Sequence, residues 1–293
     1  MKCFESLGKV IGVPEVNKRN DFCNVASHLP SQFYGQKPFM PYIDYQQLVA
    51  LEAEVVSAPG ITWRSVGRSH AGRVRDVNED AFYHSSDQRL WVVADGMGGH
   101  ARGDYASGVV AEACVHFVKS SSLAASIRGL EEKLRGAHHS CRNSFRGERV
   151  GSTVAVLFAY GQYGFLLWAG DSRVYRLRNG SLTQMTQDHT VAQEKVARGE
   201  LRAGQVPFHP SAHVLTRAVG VHQTLHLELD YDVVQKGDRF LICSDGLYNE
   251  LTAAEIQQYL AQSTIEEALD SLLDSALANG GRDNITAVIV DAD

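Results

Sequence analysis

The chain has 293 residues, of which 44% are hydrophobic, and this content is sufficient for a sizeable buried core. Its 28 Lys and Arg residues against 34 Asp and Glu residues give a formal net charge of −6, without any basic run. A nucleic-acid-binding surface is therefore disfavoured. No apolar stretch approaches membrane-spanning length, and the five Cys residues are widely spaced with no Cys-x-x-Cys pair, which favours reduced thiols. We expect a cytoplasmic protein that binds neither nucleic acid nor membrane.

Proline marks a boundary near residue 60. Five of the seven prolines lie in the first sixty residues: Pro14, Pro30, Pro38, Pro41 and Pro59. In this region only the stretch from Tyr45 to Val56 predicts a short helix, which Pro59-Gly60 ends. We therefore divide the chain into an N-terminal extension, 1–60, of unknown role and a main domain, 61–293. The extension is compatible with a partner-binding arm, a capping piece or a poorly ordered appendage.

The first half of the main domain predicts strands on either side of a pair of helices. Apolar residues recur at helical spacing in 104–119 and again in 122–145. Strands are predicted at Trp63–Ser69 and, from apolar runs of strand length, at Arg89–Ala94, Thr153–Ala159 and Tyr163–Ala169. The helices therefore separate one group of strands from the next.

The second half begins with a hairpin and ends with another helix pair. Asn179-Gly180 is a strong turn signal between Arg173–Arg178 and Ser181–Thr186. The sequence Gln187-Asp188-His189-Thr190 predicts a helix start capped by Asp188 or Thr190. Thr252 and Thr264 each begin a sequence typical of a capping box. Further predicted strands are Leu225–Tyr231, Arg239–Cys243 and Ile285–Val290. Hairpins with paired helices indicate an α+β fold, an antiparallel β-sandwich flanked by helix pairs.

Acidic residues follow buried strands at three separate places. Asp95, Asp171 and Asp245 each come at the end of an apolar run. A carboxylate in such a place is costly unless positive charge meets it, and several together would repel one another without a cation. We therefore predict a multi-carboxylate metal site assembled from distant parts of the chain. Oxygen ligands without a His or Cys cluster favour Mg²⁺ or Mn²⁺ over zinc.

Four further segments carry candidate site residues. Gly96 has no Cβ, so its backbone carbonyl is able to approach a metal. Glu79 and Asp80 are adjacent carboxylates that point in different directions along an extended segment, and Arg75 precedes them with a guanidinium suited to phosphate. His100, at the end of the Gly-rich loop, is a candidate general acid. Asp283 lies after Gly280-Gly281-Arg282 and before the last predicted strand.

Taken together, these motifs resemble the PPM-type, metal-dependent serine/threonine protein phosphatases, over about residues 61–293. The Met97-Gly98-Gly99-His100 spelling is similar to the bacterial branch. The joint order and spacing of the motifs is much more specific than any one of them. The motifs are Arg75-x-x-Asn78-Glu79-Asp80, Val93–His100, Gly151-Ser152-Thr153, Trp168–Tyr175, Thr186-x-Asp188-His189-Thr190, Leu215–Gly220, Ser244–Leu247 and Gly281–Thr286.

The resemblance implies a four-layer αββα fold and a centre of two or three Mn²⁺ or Mg²⁺ ions. It implies that Asp95 bridges two ions, that Asp245 and Asp283 complete the first, and that Glu79 with the Gly96 carbonyl completes the second. It implies a third site formed by Asp171 with Asp245. Arg75 would bind the substrate phosphate, Asp80 would hold a metal-bound water, and residues 186–220 would form a flap. Animal members have His directly after the Asp-Gly pair, where this chain has Met97, which leaves His100 as the candidate acid.

The activity that the resemblance implies is hydrolysis of phosphoserine and phosphothreonine on proteins by a metal-activated water, in bacterial signalling. The implied partner is a phosphoprotein substrate, with the enzyme countering a Ser/Thr kinase, and we expect a monomer. Two alternatives remain open. One is a non-catalytic module that binds a phosphoprotein, and the other is a hydrolase of small phosphoesters or nucleotides with the same metal centre.

Overall fold

The computed structural model describes residues 45–55, 61–98, 102–145 and 150–293. The predicted extension up to residue 44, and His100, lie outside these residues. Strands occupy β1 (Trp63–His70), β2 (Asp80–Ser85), β3 (Leu90–Met97), β4 (Gly151–Ser152), β5 (Val154–Tyr160), β6 (Tyr163–Ala169), β7 (Arg173–Arg178), β8 (Ser181–Gln184), β9 (Glu228–Val233), β10 (Asp238–Cys243) and β11 (Ile285–Ala292). Helices occupy α1 (Tyr45–Glu54), α2 (Gly103–Val115), α3 (Leu123–Ser144), α4 (Val191–Ala197), α5 (Asp245–Tyr248), α6 (Ala253–Leu260) and α7 (Ile265–Ala278), and a 3-10 helix spans Ala203–Phe208.

The strands form two antiparallel sheets. One has five strands in the order β1-β11-β10-β7-β8. The other has six, in the order β2-β3-β5-β6-β9 with the short β4 paired to β3. All the strand pairs are antiparallel, and β7 and β8 form the hairpin that Asn179-Gly180 predicts, with both residues at positive φ.

Successive side chains of each strand point to opposite faces of its sheet, and this alternation produces three hydrophobic layers. In β3, Leu90 and Val92 face a core shared with α2 and α3, whereas Trp91 and Val93 face the opposite sheet. A third core lies between the five-stranded sheet and the pair α6–α7. The order of layers is therefore helix, sheet, sheet, helix, which confirms the predicted antiparallel sandwich flanked by helix pairs.

Helix caps agree with the sequence signals. Thr190 accepts the Gln193 N–H at 3.2 Å and so caps α4. Thr252 and Glu255 form the full reciprocal box at the start of α6. At α7 the Thr264 side chain accepts the Glu267 N–H at 3.2 Å, and the Glu267 carboxylate accepts the Ser263 hydroxyl at 3.0 Å.

Some boundaries differ from the predictions. The strand β2 and the one-turn helix α5 were not predicted, and the strand expected at 225–231 is β9, three residues later. Leu225 is nevertheless buried, so its apolar character marks core packing without strand pairing. The helix expected to run to residue 119 ends at Val115, after which Phe117 is still buried.

The helix α1 packs on the helical face of the main domain. Leu48 is buried in the same core as α3, and the Glu52 carboxylate accepts the Ser122 hydroxyl at 2.9 Å. Part of the segment that the sequence assigned to the extension therefore adds to the helix layer. Among the described residues, no helix combines the length and the apolar character that crossing a bilayer requires.

Candidate metal centre

Acidic residues from both sheets converge at one end of the sandwich. Asp80 at the start of β2 stands opposite Asp95 near the end of β3 in the antiparallel register. In the other sheet, β10 ends beside the start of β11, so Asp245 at the start of α5 lies near Asp283, two residues before β11. Asp171 follows β6, whose end lies on the same side because β6 runs parallel to β3.

Burial, together with repulsion between the carboxylates, raises the pKa values of three of these aspartates. Burial, followed by repulsion from Asp80 and Asp245, raises the pKa of Asp95 well above its ordinary value. Burial and then repulsion from Asp245 does the same to the pKa of Asp171. The pKa of Asp245 is also raised, by burial and by Asp283. The repelling pairs include Asp95 beside the six-stranded sheet and Asp245 beside the five-stranded sheet. The aspartates of the two sheets therefore lie close enough to influence one another.

Such a set of oxygens fits a divalent cation. A cluster of half-buried carboxylates is unstable when all its members are charged, and a hard cation removes both the repulsion and the cost of burial. The donors are carboxylates from separate segments, which is the ligand type that Mg²⁺ and Mn²⁺ take. Of the nominated residues, Asp171 and Asp245 each place a carboxylate oxygen in a group whose donor atoms lie within 4.8 Å of one another.

Asp80 is tied to the other sheet by a hydroxyl. The Ser244 hydroxyl donates to Asp80 Oδ2 at 2.7 Å and accepts the Thr286 N–H at 3.0 Å. Burial raises the pKa of Asp80 to about 7, while hydrogen bonds from Ser244 and Thr286 oppose the rise. The Asp80 carboxylate is thus fixed in orientation beside the aspartate cluster.

Glu79 and Gly96 meet at the start of α2. The Gly103 N–H donates to Glu79 Oε1 at 3.2 Å, and the Gly96 N–H donates to the Glu79 carbonyl at 3.0 Å. A Cβ on Gly96 would stand 2.0 Å from the Gly103 carbonyl oxygen, which no side chain tolerates. Glycine at 96 is therefore required by packing of backbone on backbone.

Asn284 positions the acidic loop, a role that the sequence did not reveal. Its Nδ2 donates to the carbonyls of Ala71 and Val77, both at 2.9 Å, and its Oδ1 accepts the Glu79 N–H at 2.8 Å. The residue is only 6% exposed. One buried side chain thus links the loop before β2 to the segment that carries Asp283.

Arg75 lies at the rim of the cluster. Its guanidinium donates to Asp283 Oδ2 at 2.7 Å, and its side chain remains 55% exposed. The hydrogen bond to Asp283 raises the pKa of Arg75 above its ordinary value, so the group is a permanent cation. It offers exposed positive charge directly beside the carboxylates.

A histidine that the sequence did not nominate approaches Asp171 and Asp245. His213 Nδ1 lies 3.7 Å from Asp245 Oδ2, and one donor atom from each of the three residues falls within 4.8 Å of the others. No spacing signal could have found His213, because its position depends on the fold of residues 190–215. By contrast, His189 is buried between Gly170 and Glu228, with its Nδ1 accepting the Gly170 N–H at 3.2 Å, in a structural role.

Comparison with known proteins places the chain in a family. The profile of the protein phosphatase 2C family matches residues 66–280. The serine/threonine protein phosphatase PstP of Mycobacterium tuberculosis is 35% identical over 233 residues, which is 78% of this chain and 45% of that protein. The chain thus spans less than half the length of this curated relative.

Two solved structures are similar over almost their whole length. PppA of Pseudomonas aeruginosa, described as a key regulatory component of T6SS, is 40% identical with a TM-score of 0.74, over 82% of this chain and 99% of that one. The catalytic domain of PstP with two manganese ions is 33% identical with a TM-score of 0.70, over 80% of this chain and all of the other. The match confirms the family resemblance noted from the motifs: the chain belongs to the protein phosphatase 2C family.

Proposed function

We propose that this chain is a metal-dependent phosphatase that hydrolyses phosphoserine and phosphothreonine on proteins. The observation that carries the proposal is the convergence of aspartates from both sheets, with an exposed arginine beside them. The relatives named above, which are bacterial and include a serine/threonine protein phosphatase, support the same activity.

The proposed ligands are those that the family resemblance of the motifs implies. Asp95, which is repelled by each of the other four aspartates, would be shared by two ions, with Asp245 and Asp283 completing one. Glu79 and the Gly96 carbonyl would complete the other, and Asp171 would join Asp245 at a third. The manganese-bound relative supports Mn²⁺ as one suitable ion, with Mg²⁺ as the other. When bound, such cations offset the charge of a phosphate monoester and lower the pKa of a water nucleophile.

The protein side chains supply orientation and proton transfer. Arg75 is exposed and permanently charged, so we assign it to the substrate phosphate, which would compete with Asp283 for its donors. Asp80, held by the Ser244 hydroxyl, is assigned to orient the attacking water and to accept its proton at a carboxylate oxygen. His100 is the candidate acid for the leaving alcohol and lies outside the described residues.

The cellular setting is proposed from the similarity to PppA. The 40% identity to PppA makes a phosphoprotein of a type VI secretion system the first substrate to test, with a Ser/Thr kinase as the opposing enzyme. The thiols of Cys114, Cys141 and Cys243 are free and buried, which suits a reducing cytoplasm, and the proposed active form is a monomer.

The deciding experiment measures phosphate release from a phosphothreonine peptide with EDTA, and then with Mn²⁺ added back. We expect release only with Mn²⁺, and a loss of roughly a thousandfold in Asp95→Asn and in Asp245→Asn. Asp87→Asn, an exposed acid in the β2–β3 turn, is the matched control and should retain full activity. Near-normal turnover in folded Asp95→Asn would refute the assigned centre.

The same assay separates the two alternatives. Hydrolysis of p-nitrophenyl phosphate or nucleotides with no release from any phosphopeptide would favour a small-phosphoester hydrolase. Tight binding of the phosphopeptide with no metal-dependent release from any substrate would favour a non-catalytic module.

A further inference from the structure

Within the region 186–220, residues 190–215 include α4 and form a loop whose base is closed by backbone pairing; this shorter range is called the flap below. Thr190 and Leu215 form an isolated antiparallel bridge, and the Val191 N–H donates to the Val214 carbonyl at 2.9 Å. Just outside the flap, the Thr216 N–H donates to the backbone carbonyl oxygen of His189 at 2.8 Å. The two legs of the flap are therefore held together next to the metal centre.

His213 projects from the second leg toward the metal centre. Its imidazole is 61% exposed and makes no hydrogen bond within the described part of the chain. Asp245 Oδ2 lies 3.7 Å from its Nδ1, which is too long for a hydrogen bond. Two ligands that each lie about 2.1 Å from one cation can be at most about 4.2 Å apart, so a shared ion fits this separation.

Three separate segments supply the donor atoms. Asp171 comes from the end of β6, Asp245 from the start of α5, and His213 from the flap, all within 4.8 Å of one another. Asp171 is 5% exposed, so its charge has little water to stabilise it. An imidazole nitrogen added to carboxylate oxygens shifts a site away from Mg²⁺ and toward first-row transition metals such as Mn²⁺.

We propose that His213 is a nitrogen ligand at the Asp171–Asp245 site, which makes that site selective for a transition-metal cation over Mg²⁺. The inference rests on the proposed function for the existence of the centre. It adds a ligand from the flap, so an ion bound there joins the flap to both sheets. Filling the site adds a link between the second leg of the flap and the two sheets, whereas Mg²⁺ alone does not add this link.

The first test is spectroscopic and does not need turnover. Mn²⁺ is added to the full chain in excess Mg²⁺, and electron spin-echo envelope modulation is recorded for ¹⁴N coupling from imidazole. We expect the coupling in the wild type and in His116→Gln, which changes an exposed histidine after α2. His213→Asn should lose the coupling and bind its last Mn²⁺ at least about tenfold more weakly. Near-ultraviolet circular dichroism checks that each variant is folded.

The second test reads the flap directly. Arg198 and Arg202 lie in the flap and are exposed, so trypsin cleavage there reports how firmly it is held. Mn²⁺ should slow this cleavage in the wild type and in His116→Gln but not in His213→Asn, and Mg²⁺ should have little effect on any of them.

The outcomes separate this inference from the proposed function. Bound Mn²⁺ that supports phosphopeptide hydrolysis without ¹⁴N coupling would overturn the role of His213 and leave the phosphatase intact. Retention of the coupling in His213→Asn would also overturn it. Failure to bind Mn²⁺ at all would remove both the inference and the proposed centre.

Discussion

Asn284 Oδ1 accepts the backbone N–H of Glu79 at 2.8 Å, and this bond joins the segment before β11 to the segment before β2. The remaining hydrogen bonds of the Asn284 side chain reach the carbonyls of Ala71 and Val77. A proposed ligand, Glu79, is thus held in place by the neighbour of another, Asp283. Support for the centre is therefore shared between the two sheets.

Asn284→Ala should destabilise the fold and weaken metal binding together. Three hydrogen bonds are lost and buried backbone groups lose their partners, so we expect about 2–4 kcal/mol less free energy of unfolding in urea. Asn284→Asp keeps the acceptor for the Glu79 N–H, but its second carboxylate oxygen would face the carbonyl oxygens of Ala71 and Val77, so it should be at least as destabilising as Asn284→Ala. A stability within about 0.5 kcal/mol of the wild type would contradict the role given to this side chain.

Gly96→Ala and Gly108→Ala should have opposite effects. A Cβ at Gly96 would meet the Gly103 carbonyl at 2.0 Å and the Glu79 carbonyl at 2.5 Å, so the backbone must move and carry Glu79 with it. We expect a loss of about 1–3 kcal/mol of stability together with weaker Mn²⁺ binding by calorimetry. Gly108 in α2 has nothing within 4 Å of the added methyl, so alanine there should stabilise by about 0.5–1 kcal/mol. Equal effects of the two changes would argue against the close packing at Gly96.

Arg75→Ala should weaken substrate binding with little effect on stability. The side chain is 55% exposed and its proposed role is contact with the phosphate, so kcat/KM for a phosphopeptide should fall about a hundredfold. Arg75→Lys should recover only part of this loss, because an ammonium does not hold two phosphate oxygens as a guanidinium does. Arg73→Ala changes a neighbouring exposed arginine and serves as control. An equal loss of kcat/KM in both alanine variants would indicate an effect of general surface charge and not a specific contact of Arg75 with the phosphate.

Glu250→Gln should remove a stabilising contribution that depends on pH. The Glu250 carboxylate accepts the Arg282 N–H at 3.0 Å and its guanidinium at 2.8 and 2.9 Å, and so anchors the loop before Asp283. The hydrogen bond from the Arg282 side chain lowers the pKa of Glu250 below its ordinary value of 4.5. A depressed pKa means that the contribution is complete above 4.5 and is lost as the pH falls through the folded-state value.

The difference in unfolding free energy between the wild type and Glu250→Gln should therefore be constant near neutral pH and shrink below 4.5. Urea titrations over a pH series measure this difference. Glu132→Gln, an exposed acid on α3, is the control and should show little difference at any pH. A difference that grows as the pH falls would have the wrong sign for this mechanism.

The sequence predicted the strands that end in aspartate because each is a long apolar run, as before Asp95 and Asp245. It did not predict β2, since its six residues are only partly buried and follow a charged loop, so neither alternation nor an apolar run marks them. The opposition of Asp80 and Asp95 depends on that strand and was equally hidden. Register between distant strands is a property of the closed sheet.

The side chains that support the site could not be predicted from the sequence either. Asn284 was part of a recognised motif, but only the packing of residues 71–79 against it shows which atoms it serves. His213 is an isolated histidine in a long connection and has no local pattern. Such residues act through contacts made by other segments, and a linear pattern contains no record of them.

The division of the acidic side chains between the two sheets has a consequence for assembly of the protein. A cut within residues 199–202 would leave Asp80, Asp95 and Asp171 on one fragment and Asp245 and Asp283 on the other. The second fragment would also carry β10 and β11, two of the three inner strands of the five-stranded sheet. Neither fragment alone would carry the full set of proposed metal ligands. Recovery of the proposed activity on mixing would therefore show that the two fragments associate, and the pair would form a metal-dependent complementation sensor.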